Sequence, residues 1–295
     1  MIGVSPAYFL SRHGPSFGPR EIERSLPFLA DSGYDSFQAE VVQETFLDAW
    51  NGRSSAEVNA QAGTLGLRCS AFVAHFLCES FSSMAALLEP FNEDSLKRAL
   101  AIASSFTGNK VFAVPLLPVK EVVPRSSAME KALEDKLGLL LGTAGAAGFQ
   151  LALELVPGNV LGGSSKFLRL VGKPGLGDMR LLLDSGHFWV MGESLGSLPD
   201  ALVSRIVATH LCDNDGIENL SLCPGDGTVP FADLVDGLVA SGYPGSFDIE
   251  IVCAGGVVGP EYRKAITRVK SMLPGASARG VSANATIETA APGRS

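Results

Sequence analysis

The 295-residue sequence contains no apolar run of the roughly 18–20 uninterrupted residues that a membrane helix needs, because each strand-like run meets a glycine, a proline or a charge within about ten residues. A membrane partner is therefore not expected. The first residues, MIGVSPAYFL, carry no basic segment ahead of the apolar ones, which argues against a secretory signal and makes a soluble, cytoplasmic protein the expectation. No basic block stands out either. With 23 Lys and Arg against 31 Asp and Glu, the net charge is −8, a poor surface for tracking phosphates, so a nucleic-acid partner is not expected. Cysteine is scarce: the five lack CxxC spacing and lie mostly in or beside apolar runs, as Cys69, Cys212 and Cys253 do. They read as reduced, semi-buried small residues rather than a disulfide framework or a zinc knuckle. A Gly-rich turn directly after the first strand is also missing. The one comparable run, GTAGAAG at Gly142–Gly148, precedes a strand and reads as a helix end, which removes the dinucleotide fingerprint.

What is present is ample core material, with 46% hydrophobic residues and a mean hydropathy of +0.24, enough for one large domain. In chain order, strand-like runs fall at Ile2–Phe9, Ser36–Val42, Leu67–Ala74, Val111–Leu117, Gln150–Gly158, Met179–Leu183, Ile206–Leu211 and Phe247–Val252. Helical patterns lie between them at about Arg20–Ala30, Ser55–Thr64, Asp94–Ser105, Ser127–Ala144, Ser164–Val171, Leu198–Arg205 and Phe231–Ala240, and a last one follows at Pro260–Leu273. Strict strand and helix alternation over about 270 residues predicts a single-domain (β/α)₈ barrel over residues 1–273 rather than an open sheet. The remainder, residues 274–295, is small, polar and aperiodic, and disorder is expected there.

In such a barrel the C-terminal ends of the strands share one mouth, where chemistry collects. Glu154, Asp184, His210 and Glu250 fall at or near the ends of strands five to eight, so four consecutive strands offer ligands to one point. A single carboxylate near a strand end is often only a cap or an ion-pair partner. Three buried together without a cation would cost several kcal/mol per ion, so the set is read as a site for one divalent metal, Mn²⁺, Mg²⁺, Co²⁺ or Zn²⁺. His187, three residues after Asp184, is open between support for the site, a satisfied loop histidine and a substrate contact, with the last favoured. His13 after strand one and His75 at strand three fall on the same side, as do Glu40 on strand two and Trp50 in the loop beyond it. All four are candidate substrate-binding residues, each with the plainer alternative of a loop hydrogen bonder or a cover over the barrel end.

The segments LALELVPG, LLLDSGH, ATHLCDN followed by PGDG, and FDIEIV together resemble the xylose isomerase-like TIM-barrel superfamily, in particular its sugar phosphate isomerase/epimerase and ketose 3-epimerase branch, over roughly residues 1–273. The resemblance implies that Glu154, Asp184, His210 and Glu250 bind the metal, that Glu154 and Glu250 serve as the acid/base pair, and that His187 contacts a substrate oxygen. Two features depart from that branch. Asp213–Ser221 contains no basic residue where many relatives carry an arginine, and Pro157–Asn159 stands where a second glutamate is often found.

The expected activity is a metal-dependent isomerase or epimerase acting on a sugar or a sugar-like polyol or keto acid. A metal chelated by a carbonyl and its neighbouring hydroxyl would stabilise an enediolate, while one glutamate takes the carbon-bound proton and the other returns it. The same site also permits a lyase that dehydrates inososes or 3-dehydroshikimate. An apurinic endonuclease is disfavoured by the acidic charge and by the lack of a strand-four histidine, and a non-catalytic binding barrel by the intact ligand set. A phosphate on the substrate could be held by backbone amides at Gly162–Ser165 or Gly255–Gly256. Assembly as a homodimer or a homotetramer is left open.

Overall fold

The computed structural model describes residues 1–119 and 126–273; the disorder expected for residues 274–295 lies outside the described residues. Eight parallel strands close into a barrel in sequence order, β1 (Ile2–Val4), β2 (Ser36–Val41), β3 (Arg68–Ala74), β4 (Val111–Leu116), β5 (Gln150–Leu155), β6 (Arg180–Asp184), β7 (Ile206–Leu211) and β8 (Phe247–Ile249), and β8 pairs back to β1. The predicted fold class therefore holds. No helix among the described residues is long and apolar enough to cross a membrane.

The helices form the outer layer: α1 (Ala7–His13), α2 (Pro19–Asp31), α3 (Gly52–Thr64), α4 (Met84–Leu88), α5 (Glu93–Ser104), α6 (Ser127–Ala146), α7 (Ser164–Val171), α8 (Ser185–Val190), α9 (Asp200–Val203), α10 (Phe231–Ala240) and α11 (Val258–Met272). Their starts follow from capping chemistry. Asn51 accepts from the amides of Arg53 and Ser54 to begin α3, Asn92 accepts from Ser95 to begin α5, and Ser126 accepts from Met129 to begin α6. Before β5 the chain reverses at Gly148, whose φ of 85° suits glycine and few other residues.

The structure corrects several boundaries. Ile2–Phe9 is not one strand: β1 stops at Val4, Ser5 Oγ accepts from the Ala7 amide, Pro6 already has helical dihedrals, and α1 follows. The helix expected from Asp94 begins one residue earlier because Asn92 is its cap. The short α4 and α8 interrupt the simple alternation.

Two packed regions result. The main core lies between barrel and helices and is dominated by large side chains such as Phe9, Phe37, Phe72, Phe112 and Phe167. Inside the barrel sits a smaller apolar plug, Ala71, Val73, Val111, Ala113, Ala152, Leu182 and Ala208, supplied by β3 to β7. The facing strands supply polar residues instead: Ser36, Gln38 and Asp248 are all fully buried.

Candidate metal centre

Side chains two residues apart on a strand share a face, so the residue ending each inward row reaches the mouth. Glu154 on β5 lies two residues beyond the plug residue Ala152, Asp184 on β6 two beyond Leu182, and His210 on β7 two beyond Ala208. One oxygen of Glu154, one of Asp184 and one ring nitrogen of His210 lie within 4.8 Å of one another. Glu250, just past β8, completes the group: its Oε2 is 3.0 Å from His210 Nδ1, and Glu154 Oε1 is 3.2 Å from the same nitrogen. Glu154, Asp184 and His210 are 6%, 1% and 3% exposed.

Asp184 has two jobs. It is the N-cap of α8, where its Oδ1 accepts from the His187 amide at 2.6 Å, and the buried Cys212 thiol lies 3.4 and 3.6 Å from its two oxygens. The DSGH segment allows this packing because residue 186 is glycine: a Cβ there would meet Cys212 Sγ at 2.5 Å. The loop after β7 is built on Asp213, whose carboxylate accepts from the amides of Asn214, Gly225, Gly227 and Val229. The DN…PGDG segments thus owe their form to a carboxylate that satisfies a turn.

The charges in the mouth are unbalanced. Burial pushes the Asp184 carboxyl up, and with Glu250 and Glu154 nearby it reaches about 6 despite His187. Burial also opposes ionisation of Glu250, but the His210 charge and hydrogen bond, with His187, outweigh it and bring the carboxyl down to about 2. His210 loses basicity to burial and regains more from Glu250 and Glu154, ending well above the ordinary imidazole range; His187 is raised in the same sense by Asp184, Glu154 and Glu250. His187 Nδ1 is buried without a hydrogen-bond partner, facing Glu154 at 3.5 Å and Asp184 at 3.7 Å. Among the described residues no Lys or Arg forms an ion pair with Glu154, Asp184 or Glu250. Hard oxygen donors with one imidazole, short of positive charge, fit a divalent cation.

The other expectations divide. Glu40 and His75 line the cavity of about 230 Å³ above this cluster, joined by a 3.0 Å contact from His75 Nδ1 to Glu40 Oε1. The rest of its wall is largely apolar and includes Leu10, Val42, Pro115, Leu117 and Val252. His13 is not in it: the residue lies in the last turn of α1 and its Nε2 meets Ser25 Oγ of α2 at 2.9 Å, because α1 replaces the expected loop. Trp50 is also absent from the wall. It is 4% exposed, in the core against Phe106 at 5.9 Å, since the following Asn51 caps α3 and draws that segment onto the barrel flank. Two of the amides at Gly162–Ser165 are already engaged: Asn159 Oδ1 accepts from Gly162 at 2.7 Å, and Glu193 accepts from the Ser164 amide at 2.8 Å and from its hydroxyl at 2.6 Å.

Residues 26–272 match the family described as xylose isomerase-like TIM barrel. The chain belongs to this family. Over 152 residues it is 26% identical to an inosose isomerase of Halalkalibacterium halodurans, a match covering 48% of this chain and 52% of that protein. The chain thus spans about half the length of that curated relative. The solved structure of L-ribulose 3-epimerase superposes with a TM-score of 0.71 at 20% identity, covering 97% of this chain and 99% of that one. The IolI protein, solved with a bound zinc atom, gives 0.67 at 17% identity, with 92% and 98% covered. At these identities the structural likenesses establish the fold of the family.

Sequence reading passed over Gln38 and Asp248. Each stands two residues before a residue it did single out, Glu40 and Glu250, on the same inward face. The period of two was signal enough to find them.

Proposed function

We propose that this xylose isomerase-like barrel is a divalent-metal-dependent isomerase or epimerase of a small sugar or sugar-like polyol or keto acid. The observation that carries the reading is the convergence of Glu154, Asp184 and His210 within 4.8 Å in a buried, cation-poor mouth. With Glu250 they would hold the ion. Bound there, it would supply Lewis-acid polarisation of a substrate carbonyl and offset the negative charge that develops on that oxygen.

The chain's own residues do the rest. Glu154 and Glu250 approach from β5 and β8, on either side of the β6–β7 pair, and are the proton carriers. One removes the proton on the carbon beside the carbonyl. The other delivers a proton, to the opposite face of that carbon in an epimerisation or to the adjacent carbon in an isomerisation. His187, whose Nδ1 lies buried at the cluster, is the candidate hydrogen-bond partner for a substrate oxygen. Glu40 and His75 bind the far end of the substrate from the opposite wall, and the apolar remainder excludes water.

The test is a screen of ketoses, inososes and 3-dehydroshikimate with metal-reconstituted protein in D₂O, followed by NMR. Deuterium should enter a carbon beside a ketone and should not do so in Glu154→Gln or Glu250→Gln. Unchanged exchange in either variant would refute the proton-carrier assignment. Net loss of water with a new ultraviolet enone band would reassign the site to a lyase.

A further inference from the structure

One layer below the mouth, Asp248 is fully buried on β8, two residues before Glu250. Its carboxylate accepts from four neutral donors: Ser36 Oγ at 3.3 Å, Ser70 Oγ at 3.0 Å, Ser246 Oγ at 2.5 Å and the Gln38 amide nitrogen at 2.8 Å. Opposite, residue 3 has to be glycine, because a Cβ there would lie 1.9 Å from Asp248 Oδ1 and 2.3 Å from Ser36 Oγ. The pocket is built around this carboxylate.

With three hydroxyls and an amide nitrogen directed at its oxygens, Asp248 acts as the acceptor and fixes which end of the Gln38 amide faces it. The nitrogen end turns down to Asp248, and Oε1 is left facing His210 Nε2 at 3.0 Å. An amide oxygen can only accept, so the imidazole must place an N–H there. The nitrogen that then faces Glu154 and Glu250, at 3.2 and 3.0 Å, is Nδ1. Three buried groups on β8, β2 and β7 thus form a single directed chain of hydrogen bonds ending in the mouth.

We infer that Gln38, oriented by Asp248, is a positioning residue that keeps His210 protonated at Nε2 and presents Nδ1 to the carboxylate cluster as the donor for a cation. This rests on the metal reading above. Outer partners of this kind hold a ligand's ring angle and tautomer, and their loss costs about 10–100-fold in metal affinity.

The test uses full-length protein, Zn²⁺ and ¹⁵N-histidine labelling; the chain's four histidines can be assigned by single substitutions. In the zinc-loaded wild type, His210 should coordinate through Nδ1 and show a slowly exchanging Nε2 proton. Gln38→Met, close in size but unable to accept a hydrogen bond through oxygen, should bind zinc about 10–100-fold more weakly by calorimetry. Coordination through Nε2, or wild-type zinc affinity in Gln38→Met, would overturn the inference. If Gln38→Met does not fold, the coordinating nitrogen in the wild type decides. If the wild type binds no zinc, the metal reading itself falls. The relay is then judged on the metal-free protein, where a slowly exchanging His210 Nε2 proton upholds it and a rapidly exchanging one refutes it.

Discussion

Two clusters of buried carboxylate lie one layer apart in the same barrel and are held in opposite ways. In the deeper one, Asp248 is met by three hydroxyls and an amide, so its acceptor capacity is filled by neutral donors. In the outer one, Glu154, Asp184 and Glu250 share the imidazoles of His187 and His210, and one of those nitrogens has no hydrogen bond at all. Burial alone therefore does not mark a metal site. The mark is acceptors in excess of donors where water is excluded.

The two clusters should respond differently to substitution, most strongly in turnover. Glu154→Gln and Glu250→Gln should lower the rate of deuterium incorporation by about 10²–10⁴-fold, as expected when a general acid or base is removed. Asp248→Asn, which still offers Gln38 an acceptor, should lose about tenfold, the lower end of the loss at outer partners. Equal losses in the two clusters would erase the distinction.

Next is stability without metal. Asp248→Ala leaves buried donors unpaired and should cost about 3 kcal/mol in urea unfolding. Zinc should then separate the clusters again: at a hundred times its dissociation constant it should stabilise the wild type by about 2.7 kcal/mol, and Asp184→Asn should lose most of that gain.

A smaller effect concerns pH. The carboxylates Glu250 and Glu154 raise His210 well above 6.5 even though burial opposes this. The resulting stability of the metal-free protein is fully present below pH 6.5 and is lost as pH rises through the raised value. Zinc must displace that proton, so its affinity should rise by up to about tenfold per pH unit over the same window. Calorimetry in buffers of different ionisation enthalpy should show a proton released; a pH-independent affinity would contradict it.

The smallest contrast is one of sign. Burial first, then Glu250 and Glu154, hold Asp184 at about 6, above its ordinary 3.8, so ionisation at neutral pH weakens the metal-free fold. Asp184→Asn keeps the cap on α8 and should gain about 1 kcal/mol without metal, opposite in sign to Asp248→Ala. A loss in Asp184→Asn would show that the outer cluster is satisfied in the same way as the inner one.

Much of this molecule was legible in the linear order of residues. Apolar runs stopped by glycine and spaced by helical patterns specified the alternating barrel, and parallel strands buried on both faces made those runs conspicuous. Glu154, Asp184, His210 and Glu250 stood out because each is a polar residue at the end of such a run, a local signal. His13 and Trp50 do not line the cavity, because their positions depend on α1 and on the segment that Asn51 caps, which no local signal places.

The sequence by itself determined the fold class, and it singled out the side chains able to meet at the mouth, because period and polarity are local properties of the chain. Only the tertiary structure decided which of them share one volume, that Glu193 already takes the Ser164 amide at the start of α7, and that hydrogen bonds join Asp248, Gln38 and His210. Those outcomes depend on hydrogen bonds between residues as much as 212 positions apart, which exist only once the barrel has closed.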